Sequence, residues 1–157
     1  MTRRGRRWLL PGVAALMAAV IALAYWRFGD YFASPATEVL PLDGCDLQKQ
    51  ACRRALPGGG ELVFEILPRP IPLVQPLQLK VDVKGLEVDG VEVDFSGVTM
   101  NMGYNRPRLE RVGEGRFRGE GMLPVCVRQR MDWEAKVLLH LPHGVLAVPY
   151  RFHTIRS

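Results

Sequence analysis

Residues 77–84 read LQLKVDVK and residues 91–96 read VEVDFS. In the first, Leu77, Leu79, Val81 and Val83 alternate with Gln78, Lys80, Asp82 and Lys84; in the second, Val91, Val93 and Phe95 alternate with Glu92, Asp94 and Ser96. Successive side chains of an extended chain point to opposite faces, so each stretch has one apolar and one wetted face. That is the pattern of an antiparallel strand resting one side on a core. The same period runs through ELVFEIL at 61–67, and through Trp133, Ala135, Val137 and Leu139 set against Glu134, Lys136 and His140. Shorter strands are expected over 108–112, 116–121 and 145–152, with glycine-bearing turns between them. Sixteen Gly and twelve Pro favour such short strands and many turns over long helices. About seven strands of this kind predict an all-β fold, an immunoglobulin-like antiparallel β-sandwich. PRPIPLVQP, 68–76, reads as a proline-rich loop or edge segment.

At 157 residues there is room for one domain and an N-terminal segment. The net charge is +5, but five of the 21 basic residues, Arg3, Arg4, Arg6, Arg7 and Arg27, flank one hydrophobic run. From Phe28 onward 16 basic residues meet 16 acidic ones. A domain without net charge has no field to draw phosphates, which argues against a nucleic-acid partner. The flanked run, WLLPGVAALMAAVIALAYW from Trp8 to Trp26, has 19 residues and no charge. A helix of about 20 apolar residues crosses a bilayer core of about 30 Å, so the run predicts one transmembrane helix. Trp8, Tyr25 and Trp26 sit at its ends, where amphipathic rings prefer the headgroup zone, and Pro11 falls in its first turns, where proline is tolerated. The leading arginines keep the N-terminus inside, so the residues beyond the run are exported. A cleaved signal peptide is the alternative, since Ala22-Leu23-Ala24 fits a cleavage pattern; the run is longer than the usual h-region of about 7–15 residues, which favours the retained anchor. The expected organisation is a cytoplasmic basic tail at 1–7, a transmembrane anchor at 8–26, a tether at 27–43 and an exported β-rich domain at 44–157.

GCDLQKQACRRALPGGG, 44–60, reads as a short helix ended by Pro57 and the glycine run. Its two cysteines argue otherwise. Cys45 and Cys52 are seven positions apart, about 10.5 Å along a helix, which exceeds the ~7 Å Cα separation a disulfide spans. Either the segment bends and the pair bonds, or it is helical and the thiols stay apart. In an oxidising compartment a small domain gains from such a staple, which favours the Cys45–Cys52 disulfide. Cys126, in GMLPVCV, is then the odd thiol.

No phosphate-cradling glycine motif, G-x-S-x-G elbow or H-E-x-x-H pair occurs, so no enzymatic reaction can be read from the chain. His140 and His143, in HLPH, lack obvious partners for a metal site, and so does His153. The sharper feature is soft sulfur. The four methionines beyond the apolar run, Met100, Met102, Met122 and Met131, share a window of 32 residues with Cys126. Met100 and Met102 are two apart, which on a strand puts both on one face. Thioether and thiolate donors favour Cu(I) over harder cations. Methionine is also a common gap filler in apolar cores, and that reading stands beside the metal one.

The stretch GVEVDFSGVTMNMGYNRPRLERVGEGRFRGEGMLPVC, followed by MDWEAKVLL, resembles the YtkA-like and FixH-like group of bacterial membrane-anchored proteins. The likeness spans roughly residues 77–139. It implies an immunoglobulin-like domain after one N-terminal helix, on the periplasmic side of the cytoplasmic membrane, linked to copper handling and haem-copper oxidase assembly. By resemblance Met100 and Met102 take the methionine-strand positions. The chain departs from the group in having Asn101 and Gly103 where histidines are often found, and in adding Cys126.

The expectation is a non-enzymatic, membrane-anchored periplasmic accessory protein that binds Cu(I) through Met100, Met102 and Cys126, with Met122 or Met131 completing the site. Two alternatives stand beside it. One is a ligand-free interaction module that presents an edge strand or residues 70–76 to another membrane or periplasmic protein. The other is a thiol-redox accessory protein in which Cys126 exchanges with Cys45 or Cys52.

Overall fold

Every stretch whose apolar residues recur at a period of two is extended. The computed structural model describes residues 13, 15–23, 37–124 and 129–155. The chain divides into two compact units, Met1–Pro35 and Ala36–Ser157. In the first, residues 13 and 15–23 are helical and exposed. Among the described residues no helix is long and apolar enough to cross a membrane. The basic tail at 1–7 and residues 8–12, 14 and 24–26 of the predicted anchor lie outside the described residues.

The second unit contains nine described strands: β1 (Thr37–Val39), β2 (Cys52–Ala55), β3 (Glu61–Leu67), β4 (Leu77–Lys84), β5 (Gly90–Gly97), β6 (Arg108–Gly113), β7 (Arg116–Gly121), β8 (Arg130–Leu141) and β9 (Gly144–Ile155). β3 to β9 are the seven stretches expected from the sequence. They form one curled mixed sheet in the order β1-β9-β8-β5-β6-β7-β4-β3-β2. All neighbours are antiparallel except β1 and β9.

Two short segments differ from expectation. The helix predicted over 44–60 is absent: residues 47–50 make a turn, β2 comes next, and Pro57–Gly59 form one 3-10 turn. The cause is the Cys45–Cys52 disulfide, whose Cα atoms are 5.8 Å apart, closer than seven helical positions allow. Cys52 itself is buried on β2, opposite Phe64. The second difference falls in the predicted tether, where β1 pairs in parallel with β9, Thr37 opposite Val145 and Val39 opposite Ala147.

The curl arises from where the apolar faces must go. β6 divides its ladder: Arg108 and Leu109 pair with β5, whereas Glu110, Arg111 and Gly113 pair with β7 across an irregularity at Val112. The sheet turns there, and strands distant in its order come together. Phe64 of β3 and Tyr150 of β9 pack with ring centroids 5.5 Å apart. Trp133, fully buried on β8, gives its indole N–H to Thr154 Oγ1 of β9 at 2.9 Å, which satisfies both polar atoms inside the core.

The Tyr150 hydroxyl has no hydrogen-bond partner among the described residues. Burial pushes its phenol well above the usual tyrosine value, with the Arg54 charge opposing and the Asp43 charge assisting. The unfolded chain loses this proton first as pH rises, so the contribution is complete below about pH 10 and declines above it. Urea denaturation should therefore show stability falling above about pH 10, and Tyr150→Phe should reduce that slope while leaving stability near neutrality almost unchanged. An unaltered slope in the variant would show that Tyr150 does not cause it.

Candidate functional site

The residues singled out by the sequence cluster partly at one end of the sheet. β5 ends at Gly97, and the next amide, Val98 N–H, donates to the Asp132 carbonyl at 3.0 Å. The chain then leaves the sheet. Asn101 Oδ1 accepts from the Gly103 amide at 2.9 Å, and Gly103 has φ +81°. This is an asparagine turn closed by a residue in the left-handed region, where glycine has no steric cost. Met100 and Met102 therefore lie on a loop, not on the strand their spacing predicts. Asn101 and Gly103 turn the backbone and override that spacing.

The loop nevertheless brings methionines together, over Gly97. A Cβ placed on Gly97 would lie 2.4 Å from the Met100 carbonyl oxygen, 2.4 Å from Met131 Cε and 3.1 Å from Met102 Cγ. The Met102 and Met131 side chains are thus neighbours above a bare α-carbon. Met131 comes from the first residues of β8, points inward like Trp133, and is only 2% exposed. Met100 and Met102 are half-buried and pack on the same core. Residues 96–103 together shape a shallow, open cavity of about 390 Å³.

Met122 is placed differently. It lies just beyond β7, is 47% exposed, and is held through its backbone carbonyl, which accepts from Asn105 Nδ2 at 2.8 Å. Cys126 lies outside the described residues, between Pro124 and Gln129. Cys45 and Cys52 are bonded to each other. No protein-family model, curated protein or solved structure matched this chain.

Hard donors are not grouped at this end. Among the described residues no set of three or more His, Cys, Asp or Glu side chains is arranged to hold a metal ion. His140 Nε2 sits 3.4 Å from Glu92 Oε2 on the neighbouring strand, and His143 occupies the exposed two-residue turn between β8 and β9. Several carboxylates are held in surface pairs, such as Glu65 with Arg69 and Lys80, Asp82 with Arg118, and Glu134 with Lys136 and Arg151. What stands above Gly97 is the Met102 and Met131 side chains beside the Met100 carbonyl.

A second concavity is larger, a groove of about 690 Å³ between residues 70–75, the Asp46–Lys49 turn and the end of β9 at His153 and Ile155. Its proline-rich wall is legible in the sequence. Gln48, whose side chain joins the walls, is not, because nothing in composition marks it. Gly97 also escapes notice, although a glycine at the end of an apolar strand can signal close approach of another group.

The crowding over Gly97 gives a direct check. Gly97→Ala must displace Met131 or the Met100 backbone, at a cost of about 1–3 kcal/mol. Gly44→Ala, where an added Cβ meets nothing within 4 Å, should change stability by less than about 0.5 kcal/mol. Equal urea midpoints for the two variants would refute the packing described.

Proposed function

We propose that this chain is a non-enzymatic accessory protein anchored in the bacterial cytoplasmic membrane, its N-terminus inside and its β-domain periplasmic, that binds Cu(I) in support of copper handling or oxidase assembly. The reading of the domain as an immunoglobulin-like sandwich is supported by strand order. The β3-β4-β7-β6 ladder and the β5-β8-β9 ladder correspond, in chain order, to the four-stranded and three-stranded layers of that fold. Anchoring rests on the uncharged run 8–26 and its arginine flank, and the resemblance to the YtkA-like and FixH-like group points the same way.

The observation that carries the copper reading is the meeting of Met102 and Met131 side chains over Gly97, beside the Met100 carbonyl. Thioethers bind Cu(I) without competing proton chemistry and exchange it readily, which suits a protein that passes the ion on. Met100, Met102 and Cys126 are the proposed ligands, with Met131 the better placed of the two completing residues. Met122 is the weaker candidate because it lies beyond β7, is 47% exposed and is not among the groups that crowd Gly97.

The groove along residues 70–75 favours a second reading, a ligand-free module that holds an extended segment of another membrane or periplasmic protein.

Anaerobic titration of the full chain with Cu(I), in competition with a chromogenic chelator, separates the two. One equivalent should bind, and Met100→Leu with Met102→Leu should weaken it by about tenfold or more. Unchanged stoichiometric binding in that double variant refutes the ligand assignment, and no binding by the wild type refutes the copper reading itself.

A further inference from the structure

The Cys45–Cys52 bond closes a loop of which Asp46, Gln48 and Lys49 line the larger groove. Leu47 is fully buried in the core. Asp46 organises the turn: its Oδ1 accepts from the Gln48 amide at 3.0 Å, and its carbonyl accepts from the Lys49 and Gln50 amides. Gln48 then reaches across the groove. Its Oε1 accepts from the Ile71 amide at 2.7 Å, and its Nε2 donates to the His153 carbonyl near the end of β9. One side chain therefore ties together the disulfide loop, the proline-rich segment and the last strand.

The Ile71 amide depends on this tie. Residues 68–76 belong to no strand, and Ile71 is buried between Pro70 and Pro72, which have no amide to contribute. A buried N–H left without its acceptor is costly, so losing Gln48 also loosens the wall it holds. The loop itself has no ladder hydrogen bond between Leu40, whose amide bonds to Ala147, and β2. Two links close that span, the disulfide and the Arg54 guanidinium of β2, which donates to the Pro41 carbonyl; of the two, the disulfide is the one that a reductant can open.

We propose that the Cys45–Cys52 disulfide is a redox-sensitive latch on the groove lined by residues 70–75: oxidised, it holds Gln48 between Ile71 and His153, and reduced, it releases that bridge and opens the groove wall. Cys45 is partly exposed and Cys52 is buried, so an external dithiol attacks Cys45 Sγ. The S–S bond breaks, Cys52 leaves as a thiolate and takes a proton, and a mixed disulfide forms at Cys45. The second thiol of the reductant then attacks its own bonded sulfur and frees Cys45. Two electrons and two protons pass from the dithiol to the cysteine pair, and the dithiol becomes a disulfide. This latch operates whether or not the methionine end binds copper.

Amide hydrogen exchange on the full chain in detergent micelles reads the latch directly, with dithiothreitol as the dithiol. Because Pro70 and Pro72 lack amides, a peptide spanning them reports on Ile71 alone at those three positions. On reduction the Ile71 amide should exchange at least about tenfold faster, while Val81 and Val137 in the sheet keep their protection. Gln48→Leu should reproduce the fast Ile71 exchange with the disulfide intact. Three results overturn the latch. One is Ile71 exchange unchanged by reduction. A second is loss of protection throughout the sheet on reduction, which would make the disulfide a staple of the whole domain. The third is slow Ile71 exchange in oxidised Gln48→Leu.

Discussion

The contact between Phe64 on β3 and Tyr150 on β9 sets the shape of the whole β-unit, because the two strands are far apart in the sheet and can touch only if the sheet folds over on itself. Both side chains are fully buried, and removing a large apolar group of this size from water contributes about 1.5–3 kcal/mol. The inward rows Leu62–Phe64–Ile66, Val91–Val93–Phe95 and Trp133–Ala135–Val137 gain the same way. β6 makes the fold-over feasible by giving half of its ladder to each side. The Tyr150 hydroxyl is carried inward by this packing without a partner among the described residues, so its position reflects ring burial and not hydrogen bonding.

Closing the sheet leaves the far edge of β9 to be covered. β1 pairs only with Val145–Ala147, and beyond it Leu40 adds one further hydrogen bond to Ala147. The cover then continues through a side chain, as Gln48 takes the His153 carbonyl. Unpaired strand edges invite pairing with other chains, and natural sheets commonly protect them with short strands or crossing loops. Here the protecting segment is also the one closed by the disulfide. A closed loop of this length reduces the freedom of the unfolded chain by about 2.5 kcal/mol in the chain-entropy account. The staple, the edge cover and the groove wall are therefore one piece of chain.

At the methionine end the same economy of space applies. Gly97 has an ordinary backbone conformation; what it supplies is the absence of a Cβ, which lets a loop carbonyl and two thioether side chains approach its α-carbon. Met131 belongs to the core row of β8 by its burial and to the loop end by its methyl group. A flexible, unbranched methionine side chain is suited to filling such an irregular space. Elsewhere Glu65, Asp82 and Glu134 are paired with Arg or Lys on the outer faces, within a stretch that carries 16 basic and 16 acidic residues after Arg27.

The alternation in residues 61–67, 77–84, 91–96 and 133–139 is enough to locate the strands, because side-chain direction in an extended chain depends only on parity. Charge balance is equally legible, since it needs no coordinates. Helix rise and Cα reach, also local quantities, set a helix against a disulfide over 45–52, and the exported setting favours the disulfide. Where the methionines meet is not local: Met100 and Met102 reach Met131 through an asparagine–glycine turn, across a strand boundary, over a glycine whose role depends on what packs against it. Strand order, the split ladder of β6, the parallel β1 and the bridging of Ile71 to His153 by Gln48 all join residues far apart in the chain. No period or spacing encodes such pairings, because they are chosen by burying every apolar face at once.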